Sequence, residues 1–184
     1  MSARDRLIQE LRRHSVVVGD VVLTSGRTAQ YYVDAKRAIL RPDGFQALAV
    51  LVAERARAWG ATAVGGLTMG ADAPACAALA GGADVKAFFV RKERKQHGLQ
   101  RRIEGPLLDA QDRCLIVEDV VTTGGSTIEA IQAVREAGHE IVGVVAILDR
   151  LAGGADAIRG AVAAPYEPLS TIDDVYPERP DRVA

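Results

Sequence analysis

The sequence has few aromatic residues, few cysteines and no long apolar run. Aromatic residues make up only 4% of the 184 residues and leave little material for stacking on bases. A formal net charge of −1 and a pI near 6.3 provide no general attraction for polyanions, so we expect no nucleic-acid partner. The longest apolar runs, such as residues 141–148, are too short to span a bilayer, and the N-terminus lacks the apolar stretch of a signal peptide. We therefore expect a cytoplasmic protein without a membrane partner.

The two cysteines are the only thiols in the chain. Cys76 stands in an Ala-rich helical pattern, and Cys114 stands at the start of an apolar strand. Free cysteine is among the most frequently buried residue types, so we expect both side chains to be small buried hydrophobes rather than reactive groups.

Helical and extended patterns alternate along most of the chain. An amphipathic helix at 2–14 precedes two extended segments that are separated by a turn at 25–27 and predict a small antiparallel unit. Helices are then predicted at 43–59, 71–80 and 126–137, and strands at 63–66, 85–90, 113–118 and 140–148. Strands that are apolar on both faces and separated by helices predict an α/β fold, with a parallel sheet flanked by helices.

The length fits one domain of ordinary size. We divide the chain into an N-terminal region at 1–40, which we call the hood, a core at 41–150 and a C-terminal tail at 151–184. The tail is rich in Ala, Gly and Pro, with one strand predicted near 166–170 and one short helix capped by Thr171.

Residues 115–127, LIVEDVVTTGGST, form the motif that indicates chemistry most clearly. An apolar strand is followed by Glu118 and Asp119, and then by two glycines and two hydroxyl residues that open a helix. Ligands of parallel sheets bind beyond the carboxyl ends of the strands, and backbone N–H groups at a helix start attract anions. The motif therefore predicts a monophosphate site, which we call the phosphate turn.

The acidic pair, Glu118 and Asp119, favours a sugar phosphate as the ligand. Adjacent carboxylates can accept hydrogen bonds from vicinal ribose hydroxyls and offset positive charge that builds up as a glycosidic bond breaks. The turn lacks the lysine of a P-loop and the G-x-G-x-x-G spacing of a dinucleotide fingerprint. A simple helix-capping turn after a core strand is the alternative.

Residues 91–105, RKERKQHGLQRRIEG, predict an exposed basic loop in which Gly98 and Gly105 permit movement. Next to a phosphate turn, its cations could clamp a pyrophosphate leaving group, and His97 could donate a proton near neutral pH. A solvated connection or a nucleic-acid patch is the alternative. The cations are Arg91, Lys92, Arg94, Lys95, Arg101 and Arg102.

Together these motifs resemble the type I phosphoribosyltransferases and, within them, the orotate phosphoribosyltransferase family. The resemblance rests on four motifs: LIVEDVVTTGGST, the R-K-x-x-K-x-H-G spacing from residue 91, the LDR at 148–150 and SGRTAQYYVD at 25–34. The resemblance implies transfer of the phosphoribosyl group from phosphoribosyl pyrophosphate (PRPP) to orotate, which gives orotidine 5′-monophosphate and pyrophosphate in pyrimidine biosynthesis. It also implies Mg²⁺ bound mainly through PRPP, with no protein residues as metal ligands.

The resemblance assigns roles to individual residues. It implies that Lys95, His97 and Asp119 are catalytic, that Thr122 and Arg150 bind orotate, and that the basic loop reaches across a homodimer into the partner's site. Tyr31 and Tyr32 either cover the base or are plain strand residues. The PRPP-binding residues would be Arg91, Lys92, Lys95, His97, Glu118, Asp119, Val120, Val121, Thr122, Thr123, Gly124, Gly125 and Ser126.

The sequence departs from the family pattern at three positions. Thr24 and Met69 stand where many members have lysine, and Val33 stands where an aromatic residue is frequent. These departures leave two PRPP contacts unassigned. Two other functions are compatible with part of the pattern: a phosphoribosyltransferase for another base, and a non-catalytic regulator that senses PRPP.

Overall fold

The computed structural model describes residues 1–22, 28–92 and 102–182. Its helices are α1 (Ala3–His14), α2 (Lys36–Ile39), α3 (Pro42–Ala58), α4 (Asp72–Ala80), α5 (Gly125–Glu136), α6 (Gly154–Ala161) and α7 (Ile172–Val175). Its strands are β1 (Val16–Val22), β2 (Thr28–Val33), β3 (Ala63–Leu67), β4 (Lys86–Val90), β5 (Ile103–Glu104), β6 (Arg113–Val121), β7 (Glu140–Asp149) and β8 (Tyr166–Thr171). None of these helices combines the length and the apolar character that a membrane crossing requires.

The central sheet has six strands in the order β5-β4-β3-β6-β7-β8. Every neighbouring pair is parallel except β4 and β5, which pair antiparallel at one edge. The predicted α/β architecture with a parallel sheet between helices is therefore confirmed.

The side chains of β6 alternate between the two faces of this sheet. Leu115 and Val117 pack in the cluster that also contains residues of α1, α3 and α4. Cys114 and Ile116 pack in the opposite cluster, with residues of α5 and α6. The helix that follows β3 and the helix that follows β6 thus lie on opposite faces, which makes the junction of these strands the topological switch point where ligands bind in such folds.

The N-terminal segment contains the predicted antiparallel pair, β1 with β2. Helix α1 begins with a capping box in which the Ser2 and Asp5 side chains each accept a hydrogen bond from the other residue's backbone N–H. Leu7 and Leu11 of α1 are fully buried against the main core. This helix is consequently part of the core on one face of the sheet.

Several local predictions differ from the structure. Helices α2 and α6 and the two-residue strand β5 were not predicted, because each is short and α6 starts within a Gly/Ala-rich stretch after Gly153 (φ +88°). Cys114 is buried as expected, but the prediction for Cys76 was wrong, since its side chain lies on the exposed side of α4. The Thr171 cap on α7 agrees with the sequence.

Gly143 of β7 supports the ring of Trp59, and this contact provides a test of the packing. A Cβ atom on Gly143 would lie 2.2 Å from Trp59 Cε3, whereas a Cβ atom on Gly160 of α6 would meet nothing within 4 Å. We predict that Gly143→Ala lowers the free energy of unfolding by about 1–3 kcal/mol through overpacking. Gly160→Ala, the matched control, should be neutral or stabilising by up to about 1 kcal/mol.

Urea unfolding followed by the fluorescence of Trp59, the one tryptophan of the chain, measures both variants. Equal stability of the two variants would contradict the close packing of β7 against this ring.

Candidate active site

The acidic pair lies inside strand β6, not after it. The strand was predicted to end at Glu118, but it continues to Val121 and stays paired with β7 as far as Asp149. On its other side, the last backbone pair with β3 joins Gly65 to Ile116. Glu118 and Asp119 therefore lie just past the shared ladder of β3 and β6, at the switch point of the sheet.

Backbone and side-chain groups surround both carboxylates, which are only 4% and 6% exposed. The Val120 N–H donates to Asp119 Oδ1 over 2.8 Å, and the Thr127 hydroxyl lies 3.5 Å from Glu118 Oε2. The loop after β3 also approaches closely, since a Cβ atom on Gly70 would lie 2.3 Å from Glu118 Oε1 and 2.7 Å from Asp119 Oδ1. Only glycine leaves room for the pair at that position.

Lys36 is a site residue that the sequence reasoning missed. Its Nζ donates to Asp119 Oδ2 over 2.6 Å and lies 3.4 Å from Asp34 Oδ1. The side chain comes from α2, which follows β2, so it reaches the acidic pair from the N-terminal segment. No spacing pattern marks this lysine in the sequence, because its partner lies 83 residues away.

Burial and mutual repulsion determine the charge on the pair. Burial, followed by the charge of Asp119, raises the pKa of Glu118 to about 8. Partial burial is the largest influence on Lys36 and disfavours its charged form, but the hydrogen bonds and negative charges of Asp119 and Asp34 together outweigh it, so the pKa of Lys36 is raised. At neutral pH the cluster thus contains a lysine ammonium bound to Asp119 and a protonated Glu118 that can also donate a hydrogen bond.

The predicted phosphate turn connects β6 to helix α5. Gly124 adopts a left-handed conformation (φ +83°), and Gly125 is the first residue of the helix. A Cβ atom on Gly125 would meet only the Thr123 hydroxyl, at 3.9 Å, so the space in front of the helix N-terminus is open. The exposed residues of the turn are Thr122, Thr123, Gly125 and Ser126. This open, donor-rich start of a 12-residue helix is suited to an anion.

Arg150 follows β7 directly and lies beside the phosphate turn. Its backbone N–H donates to the carbonyl of Val121 over 2.8 Å, next to Thr122. The preceding Asp149 is buried and accepts hydrogen bonds from the Tyr166 hydroxyl and the Leu151 N–H, which fix the chain at this bend. The structure therefore brings Thr122 and Arg150 together at the ends of neighbouring strands.

Tyr31 and Tyr32 have different surroundings. The Tyr31 ring is 4% exposed and lies under the Arg150 guanidinium, with the Cζ atom 4.7 Å from the ring centroid. Tyr32 is 41% exposed on the other face of β2. Of the two rings, Tyr31 is already engaged by Arg150.

The two ends of the basic loop are joined to each other and to α5. The Arg91 N–H donates to the carbonyl of Arg102, whose side chain donates back to the carbonyls of Arg91 and Lys92. The same guanidinium lies 2.5 Å from Glu129 of α5. Arg91 and Lys92 are exposed at this base. Lys95 and His97 lie outside the described residues, as does the Ser25–Gly26–Arg27 motif.

The site holds few groups that could ligate a metal ion by themselves. Within 1–22, 28–92 and 102–182, no three His, Cys, Asp or Glu side chains are arranged as a metal site. A Mg²⁺ ion typically keeps waters and substrate oxygens as ligands, so an ion that arrives with a phosphorylated ligand would need no cage of protein side chains.

Comparison with known proteins agrees with this geometry. Residues 38–163 match the model of the phosphoribosyl transferase domain. A curated relative, the orotate phosphoribosyltransferase of Corynebacterium glutamicum strain R, is 46% identical over 176 residues, which cover 95% of both chains.

Two solved structures of the Mycobacterium tuberculosis H37Rv orotate phosphoribosyltransferase are also similar. The complex with Fe(III) dicitrate superposes with a TM-score of 0.85 at 42% identity and covers 95% of this chain and 99% of that one. The complex with PRPP gives 0.80 at 37% identity, with 94% and 98% covered. By its sequence and its fold, the chain belongs to the orotate phosphoribosyltransferases of the phosphoribosyl transferase family.

Proposed function

We infer that the chain transfers the phosphoribosyl group of PRPP to N1 of orotate, and so forms orotidine 5′-monophosphate and pyrophosphate in pyrimidine biosynthesis. The observation that carries this inference is that the buried pair Glu118 and Asp119, at the switch point of the sheet, leads directly into an open phosphate turn beside which Arg150 lies. The same end of β6 thus combines carboxyl groups for a sugar with an anion site, and an arginine suited to a carboxylate follows the neighbouring strand.

The phosphate turn is the proposed site of the 5-phosphate of PRPP. Its exposed hydroxyls and the first N–H groups of α5 supply donors, and the helix dipole adds positive potential. Gly125 leaves the approach free of side-chain atoms. The seven residues that take part are Val120, Val121, Thr122, Thr123, Gly124, Gly125 and Ser126.

The acidic pair is proposed to bind the ribose hydroxyls and to stabilise the reacting ring. When the C1–oxygen bond to pyrophosphate breaks, positive charge develops on the ribose, and a nearby carboxylate lowers the energy of that state. Lys36 holds Asp119 in place until the sugar arrives. It is also the nearest described cation to the pair, so we propose that it compensates for the lysines missing at Thr24 and Met69.

The acceptor is proposed to bind between Thr122 and Arg150. Orotate carries a carboxylate, which matches the planar donor group of arginine. The buried Arg150 Nε has no hydrogen-bond partner within the described part of the chain, so the guanidinium retains unused donor capacity. A substrate carboxylate would accept hydrogen bonds from this unused donor capacity.

Two further elements complete the proposal. Mg²⁺ bound through PRPP would neutralise the departing pyrophosphate, with Glu118 and Asp119 as the adjacent oxygen groups. The basic loop, with Arg91, Lys92, Lys95 and His97, would bind the pyrophosphate of a neighbouring subunit in a homodimer. We also propose that the enzyme acts in the cytoplasm.

Substrate choice tests the function directly. With PRPP and Mg²⁺, the protein should consume orotate, measured by loss of its absorbance, and should leave uracil, hypoxanthine and adenine unchanged. Asp119→Asn should lower kcat at least about 100-fold, because it weakens stabilisation that is needed only in the transition state. Turnover of another base without orotate would show that the acceptor assignment is wrong, and full activity of Asp119→Asn would remove the acidic pair from the mechanism.

The raised pKa of Glu118 predicts how stability depends on pH. Between the ordinary carboxyl value and about 8, folded Glu118 keeps a proton that the unfolded chain has lost. Unfolding therefore releases a proton, and stability falls as pH rises through this window. We predict that Glu118→Gln flattens this fall, raises Tm at pH 8.5 and abolishes efficient transfer.

Lys36→Met should have the opposite effect on stability. The lysine charge lowers the pKa of Glu118, so its removal leaves two buried carboxylates without a cation and steepens the loss of Tm at high pH. Lys86→Met is the matched control, because Lys86 also binds two aspartates but lies away from the site, at the start of β4. Thermal unfolding of all three variants between pH 5.5 and 8.5 measures how Tm depends on pH. If Tm fell equally with pH in the wild type and in Glu118→Gln, the proposed role of the Glu118 proton would be wrong.

A mixing experiment tests the shared loop. Lys95→Ala should reduce kcat far more than it changes the affinity for orotate. Heterodimers of Lys95→Ala and Asp119→Asn subunits should recover activity at one of their two sites, since that site combines an intact loop with an intact acidic pair. Activity that stays at the level of the parent variants in isolated heterodimers would place each loop over its own subunit's site.

A further inference from the structure

The C-terminal tail returns to the acceptor side of the site. Beyond α7, the Tyr176 ring packs edge-on against the Tyr31 ring, with the centroids 5.3 Å apart at 80°. Further on, both carboxylate oxygens of Asp181 lie within 3.0 Å of the Tyr31 hydroxyl. Tyr31 comes from β2, so the tail and the N-terminal strand pair meet at one tyrosine.

Tyr31 in turn contacts Arg150. The Arg150 Nη2 donates to the Tyr31 hydroxyl over 2.9 Å, and the guanidinium also lies over the face of the same ring. An arginine can only donate, so the tyrosine oxygen must accept this bond. The hydroxyl then donates its single proton to Asp181. An ionised carboxylate has no proton of its own and can act only as an acceptor. The three groups thus have one consistent direction of donation, from Arg150 through Tyr31 to Asp181.

The environment reinforces this direction. Burial, and next the hydrogen bond to Asp181, raise the pKa of Tyr31, so the hydroxyl keeps its proton over the working range. Arg179 contacts Asp181 through its Nε at 3.2 Å and also binds Asp173. Through Arg179, the Asp181 carboxylate is therefore linked to helix α7. Asp181 is therefore held from one side by Arg179 and from the other by Tyr31.

We propose that Asp181 and Tyr31 are positioning residues for the acceptor, which together hold the Arg150 guanidinium where it receives the carboxylate of orotate. This proposal rests on the inferred function. It gives the C-terminal tail a role in substrate recognition: the tail forms the outer support of the acceptor site, whereas the PRPP groups belong to β6 and α5.

Substitutions of Tyr31 or Asp181 should therefore affect the binding of orotate but not the binding of PRPP. Loss of the Tyr31 hydroxyl or of the Asp181 carboxylate frees Arg150 to adopt other rotamers. Orotate binding must then order the Arg150 side chain, and the entropy lost in doing so weakens the affinity for orotate. The phosphate turn and the acidic pair keep their own hydrogen bonds in these variants. The KM for orotate should respond, and the KM for PRPP should not.

Steady-state kinetics with Tyr31→Phe and Asp181→Ala test this proposal in the full-length enzyme. Tyr31→Phe keeps the ring under Arg150 and removes only the hydroxyl. Each variant should raise the KM for orotate about tenfold, the scale expected for a hydrogen bond to a charged group, with the KM for PRPP within about twofold of the wild type. Asp181→Asn keeps an oxygen acceptor for the hydroxyl, so it should recover part of the lost affinity.

Matched controls make the same chemical changes elsewhere. Tyr176→Phe alters the neighbouring ring, and Asp156→Ala removes an exposed carboxylate that pairs only with Arg159 among the described side chains; both should leave the KM for orotate unchanged. An unchanged orotate KM in Tyr31→Phe overturns the proposal, and so does an equal rise of both KM values, which would mean a general structural role. Failure of the wild type to use orotate would instead refute the inferred function.

Discussion

Two carboxylates on consecutive residues are buried in the middle of a parallel sheet, and much of the surrounding structure accommodates them. Neither Glu118 nor Asp119 is exposed enough to rely on water, so each needs a proton, a donor or a cation from the protein. Lys36 binds one of them, and the other retains its proton. Gly70 has no side chain because these oxygens occupy the space that a Cβ atom would take.

A ribose with two free hydroxyls satisfies the same needs better than the protein does alone. The hydroxyls donate hydrogen bonds to oxygens that otherwise face one another, and the reacting ring gains positive charge next to the Asp119 carboxylate. The chain therefore maintains an arrangement that is unfavourable before the substrate binds. Such a cost to stability at a functional site is common in enzymes, and here it is concentrated in one strand, β6.

The sequence could predict the features that depend on near neighbours in the chain. The period of apolar residues predicted the parallel sheet, and the glycines and hydroxyl residues at 122–127 predicted the turn that opens α5. It placed the end of β6 too early, because the acidic residues interrupt the apolar pattern although the backbone continues in the ladder with β7. Lys36 and Asp181 escaped prediction because their partners are 83 and 150 residues away, and long-range pairs have no local signature.

The anchored base of the basic loop has a second effect, at the edge of the sheet. Strand β4 would otherwise present free backbone groups to solvent, a surface on which a strand of another molecule can add. Strand β5 covers its last two residues, and Gly105 lies so close that a Cβ atom there would be 2.8 Å from the Ala87 carbonyl. Lys86 binds the segment after β5 through the Leu107 carbonyl and Asp109 at the other end of β4. The segment that leads out of the basic loop is thus also a barrier to aggregation, and its length can change only in ways that keep this edge covered.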